Sequence, residues 1–432
     1  MKKKSKRIKN RQWKPLDSAA KIFPVASTRS DTKVFRFVCE LKEDVVQKTL
    51  QEALNRTLEV FPIFRSVMKK GLFWYYLETG VQEAIVREEY RQPCGPMYDP
   101  NVKNYLFEVT FYRRRINFEV YHSLTDGTGA LQFLRYLVAL YLMLRYDGIP
   151  ESVLAELGYE ASADEKNDDS FSRYYDAKKL KAGKKKHKIH NVYKFHGHRL
   201  SEYRIRIIQG ELSAKSLIGK AHEYGATVTV FLTALLIASV GDVMAPRDYR
   251  KPVVVKIPVN LRNYFSSSSA RNFFGIINAK YDFGRMPGTF EDIVECVREC
   301  FKQELTKDQL MVRLHTIGSL EHNFFARITP LFIKNFFMKI GYIISDKKFT
   351  CTISNVANVK MPEILNQYIY KFDVFLSTNK QQVCVCSFDD RMTISFTTPF
   401  VSTALQKAYF KRLTDMGIDV ILTTSQDMEE PW

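Results

Sequence analysis

The stretch INFEVYHSLTDG, residues 116–127, decides how this chain is interpreted. Its first part alternates apolar and polar residues with a period of two, which is typical of a β-strand. Alternate side chains of a strand point to the same face, so one inward row ends in an imidazole. That row consists of Ile116, Phe118, Val120 and His122. A turn follows, and then an amphipathic helix is predicted over 127–146.

His122 lies where this strand gives way to a loop, at an edge that solvent or a substrate can reach. The ordinary pKa of histidine is near neutrality, which suits a general base. Taken alone, a histidine at a strand end is more often a hydrogen-bonded structural residue, and Asp126 before Gly127 is also typical of a helix N-cap. The whole pattern His-x-x-x-Asp-Gly in a strand–turn–helix context favours the catalytic interpretation.

Composition excludes a chain that is disordered throughout, since 45% of the 432 residues are hydrophobic and 13% are aromatic. The net charge of +18 first suggests a polyanionic partner. That charge is concentrated, because residues 1–16 carry eight Lys or Arg without an acid and residues 177–201 carry nine. The rest of the chain is nearly balanced, so we expect no nucleic-acid partner.

Strand-like and helix-like segments divide the chain into two units of similar content. We predict a basic flexible tail over 1–16, an N-terminal α/β unit over 17–150 and a C-terminal α/β unit over 201–432. Residues 151–200 form a polar, Lys-rich crossover, because a structureless stretch of that length is rare inside one compact domain. Its lysines over 178–188 are interpreted as a solvated charge run, with attraction of an anionic donor as the alternative.

The location and membrane contacts are predicted from three features. Seven cysteines without a CxxC pair and no apolar signal core after the basic start indicate a cytoplasmic protein. The longest apolar run, 228–240, is too short to span a bilayer, so no transmembrane segment is expected. The aromatic-rich segment 328–344 is interpreted as a core helix that lines an acyl channel, with peripheral contact at a membrane surface as the alternative.

Four segments, taken in order, resemble the chloramphenicol acetyltransferase-like superfamily, which includes condensation domains, BAHD acyltransferases, wax ester synthases and alcohol acetyltransferases. HSLTDG at 122–127 resembles their HxxxDG motif, and VKIPVNLR at 255–262 resembles their PV(D/N)LR strand. NFFG at 272–275 and TISNV at 352–356 resemble their NxxG and SN(V/L)G segments. The resemblance covers about residues 13–420 and is closest to stand-alone bacterial alcohol acetyltransferase-like and condensation-domain-like proteins.

The resemblance implies an α/β fold of the α+β sandwich type, with two subdomains that form a V around a channel. It implies that His122 is the general base near the middle of the channel, and that Asp126 pairs with Arg262 to fix the loop. It further implies that Gly127 permits a tight turn. The residues expected to stabilise the oxyanion are Ser354 or Asn355. Two positions depart from the pattern, since Tyr121 replaces a first histidine and Ala357 replaces a glycine.

The expected function is transfer of an acyl group from an acyl thioester, acetyl-CoA or another acyl-CoA, to a small alcohol or amine. No activated Ser or Cys accompanies His122, so direct transfer in a ternary complex is expected. We expect no metal site, because the histidines of the crossover lack the spacing and acids of a metal centre, and no permanently bound cofactor. Two alternatives remain. One is a condensation-like enzyme that takes its acyl group from an acyl carrier protein, and the other is a catalytically silent binding protein of the same fold.

Overall fold

The computed structural model describes residues 13–158, 169–175, 191–201 and 204–425. The basic tail up to residue 12 and the lysines over 178–188 lie outside the described residues. The described strands form three sheets. They are β1 (Trp13–Pro15), β2 (Val34–Leu41), β3 (Ser66–Lys70), β4 (Tyr75–Thr79), β5 (Arg87–Glu88), β6 (Phe107–Tyr112), β7 (Arg115–Tyr121), β8 (Arg206–Ser213), β9 (Val253–Asn260), β10 (Phe274–Tyr281), β11 (Cys351–Asn358), β12 (Ile369–Leu376), β13 (Gln381–Phe388), β14 (Arg391–Thr398) and β15 (Ile421–Thr424).

The described α-helices lie between the strands along the chain. They are α1 (Phe23–Ala26), α2 (Gln47–Val60), α3 (Gly127–Arg145), α4 (Ser152–Glu156), α5 (Ser170–Tyr174), α6 (Ala214–Glu223), α7 (Val228–Val243), α8 (Phe290–Glu304), α9 (Lys307–His322), α10 (Phe324–Ile328), α11 (Leu331–Asp346), α12 (Glu363–Asn366) and α13 (Ala404–Asp415).

The first large sheet has the strand order β12-β2-β7-β6-β5, and helices α2 and α3 pack together beside it. The predicted inward row of β7 is confirmed, because Ile116, Phe118 and Val120 are fully buried. The ring of Phe118 stacks on that of Phe133 in α3 with the centroids 4.6 Å apart. This packing fixes the end of β7, from which the chain continues to His122.

The second large sheet has the order β10-β9-β11-β13-β14-β8-β15. Helices α7, α8 and α13 pack on it. Helix α7 is apolar on every side and is buried over 230–241, as expected of a helix enclosed by its own domain. Strand β11 runs parallel to both β9 and β13, whereas β9 and β10 are antiparallel. Two units of sheet and helices confirm the predicted α/β class.

One strand does not follow the predicted division of the chain near residue 200. Strand β12 lies within the predicted C-terminal unit, yet it pairs antiparallel with β2 in the first sheet, with Val374 opposite Phe37. The first sheet is therefore built from both parts of the sequence. A division by residue number alone does not separate the two sheets.

The segment over 328–344 was predicted to be a core helix, and this prediction is wrong. Its helix, α11, begins at Leu331, and the rings of Phe332, Phe336 and Phe337 are exposed by 68%, 63% and 65%. Only Leu331 and Lys334 of this helix are buried. An aromatic pattern shows which side of a helix is apolar, but it does not show whether another element covers that side.

Among the described helices, α3 is long and apolar enough to cross a membrane. The bent pair α6 and α7 would also be long and apolar enough if the two helices formed one span. The apolar side of α3 packs in the first core, where Phe133, Leu134 and Leu137 are fully buried. Burial inside the protein therefore accounts for the composition of α3.

Candidate active site

His122 immediately follows β7 and is held by the neighbouring strand. Its backbone N–H donates to the carbonyl of Lys33 over 2.9 Å, one residue before β2 begins. Its ring stacks on that of Phe23 at a centroid distance of 4.3 Å, and the ring of Phe35 meets it edge-on at 5.1 Å. The residue as a whole is only partly buried. A rigid strand end and two aromatic rings thus fix the plane of the imidazole.

Asn272 fixes which nitrogen of His122 carries the proton. The amide Nδ2 of Asn272 donates to the carboxylate of Asp17 over 3.2 Å and to the backbone carbonyl of His122 over 3.1 Å. The amide oxygen of Asn272 therefore faces the ring, where it lies 3.2 Å from Nδ1 of His122. Because an amide oxygen only accepts, Nδ1 of the neutral ring must be the donor. The Nε2 atom is left unprotonated and able to take a proton.

The surroundings of His122 favour its neutral form. Burial lowers the pKa of His122 below its ordinary value, and the negative charge of Asp126 only partly opposes this shift. The base is therefore already available at neutral pH. Its protonation therefore requires a lower pH than that of an ordinary histidine.

Asp17 supports this arrangement from the buried side. Its carboxylate accepts from the backbone N–H of Ala20 at 2.7 Å and lies 3.6 Å from the guanidinium of Arg271. Burial raises the pKa of Asp17 to about 6, although Arg271 opposes this rise. The sequence predicts neither a site role for Asp17 nor a role for Asn272. The motif NFFG at 272–275 was the only signal that pointed to this segment.

The structure brings Asp126 and Arg262 together, as the resemblance implies. One oxygen of Asp126 accepts from the guanidinium at 2.8 Å and from the backbone N–H of Phe273 at 2.7 Å. The other oxygen caps α3 by accepting from the N–H of Gly129 at 3.0 Å. The guanidinium of Arg262 also donates to the carbonyls of Ser269 and Arg271. This buried pair ties the turn after His122 to the segment that carries Asn272.

The structure does not support a tight-turn role for Gly127. A Cβ atom at Gly127 would meet nothing within 4 Å, and its φ lies outside the left-handed region. The crowded glycine is Gly129, two residues later. A Cβ atom there would overlap the carbonyl oxygen of Ala270 and the hydroxyl of Thr125, which donates to that same carbonyl. Gly129 thus allows the start of α3 to approach the second half of the chain closely.

Alanine at these two glycines is expected to give opposite results. Gly129→Ala should lower the free energy of unfolding by about 1–3 kcal/mol, because the backbone of Ala270 has to move. Gly127→Ala, the matched control in the same helical turn, should change it by less than about 1 kcal/mol, since alanine suits a helix. Urea unfolding of both variants measures the difference, and equal destabilisation would contradict this assignment of the close approach.

The two predicted oxyanion residues differ in their hydrogen bonding. The amide of Asn355 is engaged at both ends, since it donates to Thr229 at 2.9 Å and accepts from the N–H of Ala357 at 2.8 Å. The hydroxyl of Ser354 has no hydrogen bond to the residues that the structure describes. Ala357 has a φ of 68° beside a bulge in β11. This left-handed conformation favours glycine, which explains why the related segment carries one.

The sequence matches no family model and no curated protein. Solved structures are similar over nearly the whole chain, although their sequence identity is low. TRI3 trichothecene 15-O-acetyltransferase from Fusarium sporotrichioides shares 10% identity at a TM-score of 0.62, with 93% of each chain covered. TRI101 of F. graminearum, complexed with coenzyme A and T-2 mycotoxin, shares 12% identity at a TM-score of 0.59, over 94% of this chain and 97% of that one.

A mutant of the starter condensation domain of rhizomide synthetase, in complex with C8-CoA and Leu-SNAC, shares 11% identity at a TM-score of 0.59. The match covers 94% of this chain and 93% of that domain. Acetyltransferases and condensation domains are also among the proteins whose motifs this sequence resembles. This chain therefore has the fold of these acetyltransferases and condensation domains.

Proposed function

We propose that this protein is an acyltransferase that moves an acyl group from an acyl-CoA thioester to an alcohol, with His122 as the general base. The observation that carries the proposal is the contact between Asn272 and Nδ1 of His122, because it leaves Nε2 of the neutral ring unprotonated. Solved structures of the same fold with CoA and small molecules bound support the choice of acyl-CoA as cosubstrate. We expect the reaction to take place in the cytoplasm.

In the proposed reaction, Nε2 of His122 takes the proton of the acceptor hydroxyl as its oxygen attacks the thioester carbonyl carbon. A tetrahedral oxyanion forms and then collapses, which breaks the bond between carbon and sulfur. The leaving thiolate takes the proton back from His122, so the products are an ester and free CoA. Burial disfavours the imidazolium and thereby promotes the return of the proton to the leaving thiolate.

We assign the oxyanion contact to Ser354 and not to Asn355. Turning the amide of Asn355 towards an oxyanion would break its bonds to Thr229 and Ala357. Ser354 and Thr352 are two residues apart on β11, so their side chains point to the same face of the sheet. Thr352 lies opposite Lys256 of β9, whose side chain therefore shares that face. A hydroxyl that is already free can turn towards the developing charge without losing another bond.

A donor panel tests the proposed function. The purified protein is incubated with acyl-CoA thioesters of several lengths and with dissolved alcohols or amines, and free thiol is measured. Thiol release that depends on the acceptor is the expected result. Transfer from an acylated carrier protein only, with no release from any CoA donor, would favour the condensation-like alternative. No transfer from either donor would favour a binding protein of this fold.

A further inference from the structure

Helix α11 presents an uncovered apolar face. Phe332, Phe336, Ile340 and Ile344 recur every four residues, so they form one row along the helix, and two further side chains widen it. We call this surface the apolar ridge; its members are Phe332, Phe336, Phe337, Ile340, Ile343 and Ile344, all of which are exposed. Six large apolar side chains on one helical face form a contiguous patch of the kind that marks an interaction site.

The opposite face of α11 is firmly attached, so the helix cannot simply roll over to bury the ridge. The ammonium of Lys334 lies 3.4 Å above the ring of Trp74, and the amide of Asn335 donates to the hydroxyl of Tyr75 at 2.9 Å. Both contacts join α11 to the hairpin of β3 and β4. The ridge therefore faces outward in the folded protein.

The loop of that hairpin extends the apolar surface. The backbone N–H of Leu331 donates to the carbonyl of Leu72 at 2.8 Å, which places Leu72 beside the start of α11. The side chain of Leu72 is 70% exposed. The loop thus adds an exposed apolar side chain next to the start of α11.

The charges around the ridge are positive. Lys339, Lys347 and Lys348 are exposed, whereas the one carboxylate over 331–348, Asp346, is paired with Lys380 at 3.4 Å. Residues 1–14 carry eight further Lys or Arg without an acid. Of these, Lys14 belongs to the described residues and lies in β1, which pairs with β4 of the hairpin that holds α11. Apolar side chains with surrounding lysines are typical of a helix that lies on an anionic membrane surface. Two such positive ridges would repel each other, which disfavours a second copy as the partner.

The attached side of α11 lies close to His122. The hydroxyl of Tyr342 in α11 accepts from the ammonium of Lys33 at 2.8 Å, and the carbonyl of Lys33 bonds the N–H of His122. Helix α11 further packs against α1, whose Phe23 stacks on the imidazole. Helix α11 therefore lies between the ridge and the residues that hold His122, so a surface bound to the ridge would lie about 10–12 Å, one helix diameter, from that layer.

We propose that the apolar ridge docks the protein on an anionic lipid bilayer, from which His122 receives an amphiphilic alcohol as acyl acceptor. The choice of acceptor rests on the proposed function, whereas the docking does not. Docking would bury the ridge between the lipid headgroups, and Lys339, Lys347 and Lys348 would contact anionic headgroups. An acceptor with an apolar tail could then reach the active site without crossing water.

Vesicle flotation tests the docking. Full-length protein is mixed with vesicles of phosphatidylcholine alone or with phosphatidylglycerol added, and the floated fraction is measured at low and high salt. The wild type should float with the anionic vesicles, and salt should weaken its binding. The double variant Phe336→Gln, Phe337→Gln should bind about a hundredfold more weakly, because two aromatic side chains no longer enter the bilayer.

A matched control uses a second pair of exposed apolar residues. Ile421 and Leu422 lie on β15 at the edge of the other large sheet, so Ile421→Gln with Leu422→Gln should float as well as the wild type. Equal loss in both double variants, or equal binding of the wild type to neutral and anionic vesicles, would overturn the proposal. A wild-type dimer that the ridge variant makes monomeric, with no flotation, would overturn it in favour of self-association.

Activity separates this proposal from the function on which it depends. Transfer to a long-chain alcohol within anionic vesicles is compared with transfer to a dissolved short alcohol. We expect transfer to the vesicle-borne alcohol and its loss in the ridge variant. Flotation without transfer to any alcohol would contradict the acyltransferase function and leave the docking intact. Transfer to dissolved alcohols without flotation would contradict the docking alone.

Discussion

His122→Ala is expected to lower kcat for acyl-CoA-dependent thiol release by about 10²–10⁴-fold, with little change in the KM of the donor. General-base catalysis contributes a factor of this size, and alanine offers no atom that can accept the acceptor proton. The aromatic rings of Phe23 and Phe35, which pack against the imidazole, remain in place. Steady-state kinetics with saturating acceptor measures the split between kcat and KM.

A second histidine provides the control for this substitution. His196 is exposed on the surface, so His196→Ala should retain wild-type rates. Undiminished turnover in His122→Ala would remove His122 from the catalytic role. The pH dependence gives an independent measurement: because burial lowers the pKa of His122, the acid limb of kcat/KM for the wild type should lie below pH 6.5. An acid limb above that pH would contradict a buried base.

Arg262→Ala should destabilise the protein by about 3–5 kcal/mol. Removing one partner of a buried ion pair leaves the other charge uncompensated, here the carboxylate of Asp126. The carbonyls of Ser269 and Arg271 lose their donor in the same variant. The shift of the urea unfolding midpoint measures this effect. We also expect kcat to fall, since the segment 269–273 carries Asn272 and thereby orients His122.

An exposed ion pair supplies the comparison for Arg262. The guanidinium of Arg285 lies on the surface, 3.7 Å from the carboxylate of Asp282. Arg285→Ala should change stability by less than about 1 kcal/mol, because solvent screens such pairs. Equal midpoint shifts in the two variants would mean that the pair of Asp126 and Arg262 does not hold the two halves of the site together.

Local periodicity was sufficient to predict the elements that carry the base. The alternation over 116–121 gave β7, and the residues around Asp126 gave the start of α3, because both features depend on neighbours in sequence. The contact between Asp126 and Arg262 came from motif resemblance, since no local pattern joins residues so far apart. Helix α9 was missed because its apolar residues do not gather on one side.

The remaining features depend on contacts that no local pattern encodes. Gly129 matters because Ala270 approaches it from the other half of the chain, whereas the motif drew attention to Gly127. Asn272 acts through its position beside Nδ1 of His122, which only the folded chain brings about. The apolar pattern of α11 was visible in the sequence, but its exposure depends on which neighbouring elements pack against it.

The position of β12 has a consequence for synthesis of the protein. In a nascent chain that ends before residue 369, strand β2 has no neighbour on its outer side, although its residues are mostly apolar. An unpaired apolar strand edge readily pairs with another chain and so promotes aggregation. The first sheet therefore remains prone to aggregation during synthesis, until β12 has been translated to residue 376 and has emerged from the ribosome.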